Sequence, residues 1–278
     1  MRLFKKHNFD QIQSYELGWS LFGSPLMTVY CYVFGDVMMD TAQSHMQKEI
    51  LQIASDHNIR RVYLTHYHED HSGNANAIKQ RLKADIYGCD KTIRKMTSSL
   101  KILPYQKYMW GKATPVNIEP APPNKIETIF GEMVSVYTPG HSKDHTSYLI
   151  KDEGILFSGD LYLGEKIKYF RSDEDMGSQI ESLKKILSLD FETLLCSHSP
   201  KRKNGKNYIQ SKLDFLENLY GNITLLWEQG IPEKQIFRSL KLKEDYLTKL
   251  ICFGNVSMFN GVRSAIKHYQ LKSQKNVS

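Results

Sequence analysis

An α/β fold, layered as far as about Tyr208 and helical beyond it, is predicted by three features of this sequence. Short apolar runs of strand length alternate with segments of helical periodicity between Leu26 and Cys196. From Tyr208 onward apolar residues recur at helical spacing. Histidines and aspartates stand just past the ends of several strand-like runs, where layered α/β proteins commonly build their sites.

The elements follow in order. Leu26–Phe34 and Val37–Met39 read as two strands meeting at Gly35-Asp36, a hairpin signal. Met46–His57 places Met46, Ile50, Ile53 and Ala54 on one helical face. Arg61–Leu64 is a short buried strand, and Asn74–Leu82 a helix entered near Ser72-Gly73. Ala84–Tyr87 and Lys91–Leu100 repeat the strand and helix alternation. Ile102–Pro123 is rich in aromatic residues and proline and reads as a long surface loop. Strands are expected over Lys125–Phe130, Val134–Thr138, Thr146–Ile150, Ile155–Phe157 and Thr193–Cys196, with a helix over Ser178–Leu187. After Tyr208 the stripe Ile209, Leu213, Leu216, Leu219, Ile223 and Leu226 marks a packed helical face. Pro232 falls near a helix start, where a missing N–H is harmless. The domain reading is 1–206 for the layered part and 207–278 for a helical C-terminal extension.

The 278 residues are 41% apolar and 24% charged, ordinary for a globular protein with a sizeable core. No apolar run approaches the ~20 residues of a membrane helix. The first residues lack the apolar stretch of an export signal, so a cytoplasmic protein without a membrane partner is expected. Four scattered cysteines then read as free thiols rather than a disulfide framework. The net charge of +7 is spread along the chain and is simplest as a solvated surface; Lys201-Arg202-Lys203 is its densest point.

The chemistry is concentrated in THYHEDHSGN. Three histidines and an aspartate, His66, His68, Asp70 and His71, lie within six residues directly after a strand. His66 and His68, two apart, project to one side, and Asp70 and His71 follow at the turn. Imidazole and carboxylate suit a divalent cation such as zinc. Four donors this close crowd a single tetrahedral ion that must also keep an open position, so two adjacent ions are the natural solution. Further donors stand at other strand ends: His141 in TPGHSKDH, Asp160 in LFSGD and His198 in LLCSHSP.

HxHxDH followed in order by TPGH, SGD and a late histidine resembles the metallo-β-lactamase fold superfamily, across roughly Leu26 to Lys201. The resemblance implies a four-layer αββα sandwich, here with the helical C-terminal segment added. It also implies that His66, His68 and His141 hold one metal, that Asp70, His71 and His198 hold the other, and that Asp160 bridges them. Asp40, in VMMDTA, matches the acid that supports the site from behind its ligands. Two divalent ions, zinc first and iron or manganese also compatible, would then be the cofactors.

A dinuclear metal-dependent hydrolase using a metal-bridging hydroxide is the function this implies, with Asp70 also taking a proton from the attacking water. The layout is most similar to glyoxalase-II-like and β-lactamase-like hydrolases, so the expected partner is a small acyl compound, a thioester or ester. The strongest rival is a phosphodiesterase or nuclease acting on nucleic acid, suggested by the basic residues beside His198. An iron-dependent persulfide dioxygenase is the redox alternative, sharing some ligands. Antibiotic hydrolysis is disfavoured by the missing export signal and the added helices. Oligomeric state is not addressed by the sequence.

Several residues read as bystanders. His145 is expected to hydrogen-bond rather than ligate, and His7, His45, His57 and His268 to be solvent-exposed. Glu69 is expected to point away from the metals. Tyr105, Tyr108, Trp110, Tyr162 and Lys166 are candidates for lining the pocket. The segment FGNVSMFNGVRSAIKHY is expected to shape that pocket.

Overall fold

Strand β3 (Val29–Phe34) shows how this chain builds layers: Tyr32 and Phe34 face one way, Cys31 and Val33 the other, and all four are buried. A strand buried on both faces must be sandwiched. The structure is a computed structural model that describes residues 1–9, 11–99, 101–122 and 125–275. Leu100 and Pro123, the ends of two predicted segments, lie outside the described residues. The chain forms two compact units.

The first unit comprises Met1–Tyr137, Asp144–Asp160 and Asp190–Gly205. Its larger sheet has seven strands in sequence order: β1 (Arg2–Phe9), β2 (Ile12–Trp19), β3, β4 (Val37–Met39), β5 (Arg61–Tyr63), β6 (Asp85–Gly88) and β7 (Glu119–Pro120). The first four are antiparallel and β4 to β7 are parallel. The second sheet contains β8 (Ile126–Thr128), β9 (Gly131–Tyr137), β10 (Thr146–Ile150), β11 (Ile155–Gly159) and β13 (Thr193–Cys196), in the order β13-β11-β10-β9-β8.

The two inner faces share one apolar core. Ile12, Tyr32, Phe34, Val37, Met39 and Tyr63 from the larger sheet meet Met133, Tyr148, Ile150, Phe157 and Leu195 from the smaller. The outer face of the larger sheet carries a second core. There Cys31, Val33, Met38, Val62 and Ile86 pack on Met46, Ile50, Ile53 and Ala54 of helix α1 (Gln47–Asp56) and its entry turn. Ala75 and Ile78 of helix α3 (Ala75–Leu82) complete this layer. This unit is therefore a helix, sheet, sheet stack, and its period-two alternation sets which side chains enter which core.

The second unit comprises Thr138–Lys143, Leu161–Leu189 and Lys206–Ser278. It holds helices α6 (Met176–Leu187), α7 (Gly205–Glu228, from its second residue), α8 (Glu233–Ser239), α9 (Tyr246–Ile251) and α10 (Met258–Lys275), and a two-stranded sheet of β12 (Phe170–Arg171) with β14 (Val256–Ser257). The predicted stripe on α7 is buried from Ile209 to Ile223, and Leu226 is half-buried. The helical C-terminal segment is thus present, interrupted by the short strand β14.

Four elements depart from the sequence reading. Arg2–Phe9 and Ile12–Trp19 pair as the antiparallel strands β1 and β2, which went unpredicted because β1 is an edge strand with polar residues on both faces. Ile102–Pro123 is not a plain loop, since Pro104–Trp110 forms helix α5 and Glu119–Pro120 forms β7. Pro104 occupies the first helical position, where its fixed φ favours a start, but seven residues are too few to show a period. The strand over Leu26–Phe34 begins only at Val29. The helix read over Lys91–Leu100 is α4 (Asp90–Met96), which ends earlier than expected. All four cysteines are free, three buried and Cys89 half-buried.

Candidate metal centre

The site is assembled where strands of the first unit end. Strand β5 delivers Thr65 and His66; Thr146 N donates to Thr65 O at 2.9 Å, tying this end to the smaller sheet. Tyr148, fully buried, donates its hydroxyl to Leu64 O at 3.1 Å. The chain then turns through His68 into the single-turn helix α2 (Glu69–Ser72). Thr41, after β4, donates both its N–H (2.6 Å) and its hydroxyl (2.9 Å) to His71 O. Asn74 Nδ2 reaches back to Thr41 O (2.7 Å) and Gln43 O (2.9 Å). Asp160 follows β11 and His198 follows β13.

This framework brings Asp70, His71, Asp160 and His198 together. Each offers one donor atom, and the four atoms lie within 4.8 Å of one another. His71 Nε2 stands 3.3 Å from Asp160 Oδ1 and 3.7 Å from Asp70 Oδ2. His198 Nε2 stands 3.5 Å from each of those two oxygens. Asp70, His71 and Asp160 are buried, and the His198 side chain is only 10% exposed. In the same unit, His66 Nε2 and His68 Nδ1 approach to 2.8 Å.

The outer nitrogens of His71 and His198 are already committed. His71 Nδ1 lies 2.8 Å from Asp40 Oδ2, so its N–H donates to that carboxylate. His198 Nδ1 donates to Thr28 O at 2.6 Å. Asp40 is itself fixed: its Oδ1 accepts from Thr65 N and its Oδ2 from Thr65 Oγ1, both at 2.8 Å. Each imidazole therefore turns an Nε2 lone pair towards carboxylate oxygens, and among the described residues His71 Nε2 has no hydrogen-bond partner. Four electron-rich atoms facing one another require positive charge between them.

Protons can supply that charge. Burial alone would pull the His198 imidazolium down, but the Asp160 and Asp70 carboxylates overcome it and push His198 up to about 10. His71 is likewise buried, and Asp160, Asp70 and Asp40 hold it well above its usual range. Burial would raise Asp160, yet His71 and His198 hold it well below the usual carboxylate range, and Asp70 is lowered by the same two residues. A divalent cation fits the same space. Tetrahedral bonds of ~2.0–2.2 Å imply ligand–ligand separations of roughly 3.3–3.6 Å; the two Asp160 distances and His198 to Asp70 fall in that range, and His71 to Asp70, at 3.7 Å, lies just above it. Two imidazoles and two carboxylates are also a chemically suitable donor set.

His141 lies in the second unit, on the loop Thr138–Lys143. It is buried, with Nδ1 3.1 Å from Glu174 Oε1. His145, as expected, hydrogen-bonds: its Nε2 accepts from Asp160 N at 3.1 Å. Glu69 is buried, with Gln106 Nε2 of α5 at 3.3 Å from its carboxylate. The four histidines expected in solvent are instead half-buried and partnered. His7 contacts Glu16, His45 stacks on Trp19, His57 meets the Tyr15 hydroxyl and His268 meets Asp175.

Of the aromatic candidates, Trp110 is buried with its ring 6.4 Å from the His198 ring. Tyr108 is exposed, and Tyr162 is buried against Tyr208. Lys166 is exposed. Thr65 and Glu174 are the supporting residues that sequence reasoning missed. Thr65 directly precedes His66, a detectable position; Glu174 sits among other acids in RSDEDMG and carries no distinguishing signal.

Comparisons with known proteins show what the chain is similar to. The family model of the metallo-beta-lactamase superfamily matches residues 28–198. An atrochrysone carboxyl ACP thioesterase of Aspergillus fumigatus is 26% identical over 183 residues, covering 64% of this chain and 51% of that protein. A beta-lactamase-like protein 2 homolog of Drosophila melanogaster is 33% identical over 138 residues, covering 49% of this chain and 44% of that one. The chain thus spans about half the length of these curated relatives. A metallo-beta-lactamase family protein of Thermus thermophilus superposes with a TM-score of 0.64 at 14% identity, covering 94% of both chains, which shows a shared fold. No helix among the described residues is long and apolar enough to cross a membrane.

Proposed function

This chain belongs to the metallo-beta-lactamase superfamily, and from that premise we propose a dinuclear metal-dependent hydrolase acting on a small thioester or ester. The observation that carries the proposal is the buried group of Asp70, His71, Asp160 and His198, whose donor atoms face one another within 4.8 Å. Following the family resemblance, Asp70, His71 and His198 would hold one cation and His66, His68 and His141 the other, with Asp160 contributing to both. Zinc suits these donors best. Residues 1–206 are taken as the metallohydrolase portion and 207–278 as its helical extension.

When bound, such cations would supply a water acidic enough to ionise near neutral pH and would polarise the acyl carbonyl. The protein's share is positional and protonic. Asp40 and Thr28 O hold the Nδ1 protons of His71 and His198, so that both present Nε2 inward. Asp70, buried beside both histidines, is placed to take a proton from the attacking water and return it to the departing thiol or alcohol. Trp110, buried with its ring 6.4 Å from that of His198, supplies apolar surface beside this histidine. The acyl preference is supported by the thioesterase named among the relatives. Nucleic acid is not favoured: Arg202, the centre of the basic cluster, is engaged with the Phe9 ring and Asn8 O.

The test is a parallel screen of zinc-loaded protein on an acyl thioester, a lactone and bis(p-nitrophenyl) phosphate. Thioester or ester turnover that is lost in Asp70→Asn is expected. Turnover of the phosphodiester alone would replace this reading with the nuclease one.

A further inference from the structure

The loop carrying His141 is held at three points by helix α6 and the turn that opens it, all within the second unit. Ser182 Oγ donates to Pro139 O at 2.7 Å, and Asp175 N donates to Gly140 O at 2.8 Å. Glu174 Oε1 lies 3.1 Å from His141 Nδ1. Gly140 permits this closeness: its φ is +139°, and a Cβ there would stand 2.5 Å from Gln179 N and 2.7 Å from its Cα.

The gripping turn is braced in its own right. Asp175 caps α6, accepting from Ser178 N at 2.7 Å. Gln179 Nε2 donates to Glu174 Oε2 at 3.0 Å, which fixes the rotation of that carboxylate. Helix α10 supplies the remaining contacts. Ser264 Oγ donates to Glu174 O and accepts from Met176 N, both at 2.8 Å. His268 Nδ1 meets Asp175 Oδ1 at 2.8 Å. Glu174 and His141 have side chains only 7% exposed.

We propose that Glu174 is a positioning residue for His141 and that helix α10, through Ser264 and His268, is part of its support. A carboxylate facing Nδ1 keeps the proton on that nitrogen and leaves Nε2 as the donor atom. It also fixes the ring plane, because Gln179 and the α6 turn fix the carboxylate. The C-terminal helix is then tied to the ligand histidine by two links: Ser264 to the Glu174 backbone, and Glu174 to the ring. This inference rests on the assignment of His141 as a metal ligand proposed above.

The experiment is zinc binding to the full chain, stripped with chelator and titrated against a chromophoric chelator, with cobalt spectra of the same proteins recorded in parallel. Glu174→Ala should weaken one of two zinc ions by about 10–100-fold and alter the cobalt bands, leaving the other ion near wild-type affinity. Glu174→Gln, which keeps the size and an acceptor oxygen, guards against a folding defect and should show a smaller loss at the same ion. Ser264→Ala should shift the same ion in the same direction. Wild-type binding of two ions with Glu174→Ala and Glu174→Gln indistinguishable from it, in affinity and in cobalt spectrum, overturns this inference alone. Wild-type protein that binds no cation overturns the metal assignment and this inference together.

Discussion

Replacing Asp40 by Asn separates the role of its charge from its shape. Asp40 has φ +56°, a left-handed conformation that Asn tolerates as well as Asp, so the exchange adds no backbone strain. The carboxylate accepts three hydrogen bonds at 2.8 Å, from Thr65 N, Thr65 Oγ1 and His71 Nδ1. An amide cannot satisfy all three. With its oxygen towards Thr65 N, its NH2 faces His71 Nδ1, which must then accept; the proton moves to Nε2 and the inward lone pair is lost. With its oxygen towards His71, its NH2 opposes the Thr65 N–H, leaving two buried donors facing each other.

The second arrangement costs on the order of 1–3 kcal/mol of stability, the penalty for an unsatisfied buried donor. The first should weaken zinc at the His71 position by about 10–100-fold. Urea unfolding of the chelated protein measures the stability effect, and chelator competition measures the affinity. Asp40→Asn that matches wild type in both would refute the reasoning, because one of the two losses is unavoidable if the hydrogen bonds are as described.

Three further outcomes are expected. In the cation-free chain, His71 and His198 hold protons above their unfolded value of ~6.5, so their contribution to stability is complete below ~6.5 and falls as pH rises through their raised folded values, about 10 for His198. Urea midpoints of chelated protein should therefore drop between those limits, and a flat profile would contradict the charge arrangement. Gly73→Ala would put a Cβ 2.5–2.6 Å from three backbone atoms, Glu69 O, Ala42 O and Ser44 N, which have no room to yield. A loss of at least about 1–3 kcal/mol in urea unfolding is expected, and wild-type stability would show that the loop is looser than described. At the first unit's surface, the Arg61 hydrogen bonds hold the Asp36 carboxyl below its usual range. Its contribution is present above ~3.9 and lost as pH falls through the folded value, so Arg61→Ala should flatten acid unfolding there and cost less than ~1 kcal/mol at pH 7.

The part of the site that was legible in the sequence is the part written locally. His66, His68, Asp70 and His71 fall within six consecutive positions after a strand, and Asp160 and His198 each follow a short apolar run; strand ends converge, so the donors do. Buried strands such as Val29–Phe34 and Thr146–Ile150 were legible because burial on both faces demands continuous apolar residues. The β1–β2 hairpin was not, since Arg2, Lys5 and Lys6 occupy an exposed edge that imposes no pattern. Helix α5 was too short for periodicity, and only its Pro104 start gave a clue. Glu174 was hidden for a different reason. Its role depends on a turn 33 residues beyond His141 and on Ser264 still further along, and a single acid among several has no local mark. The C-terminal segment was read as shaping the pocket, and nothing in the sequence marked the contacts that α10 makes with the turn carrying Glu174.

The central claim is tested most directly by counting zinc on the chelated chain after equilibrium dialysis, for wild type and for Asp160→Asn. Two ions per wild-type chain, with binding at both impaired in the variant, is the predicted result. Absence of bound zinc in the wild type, or a variant with unchanged binding, would contradict the account.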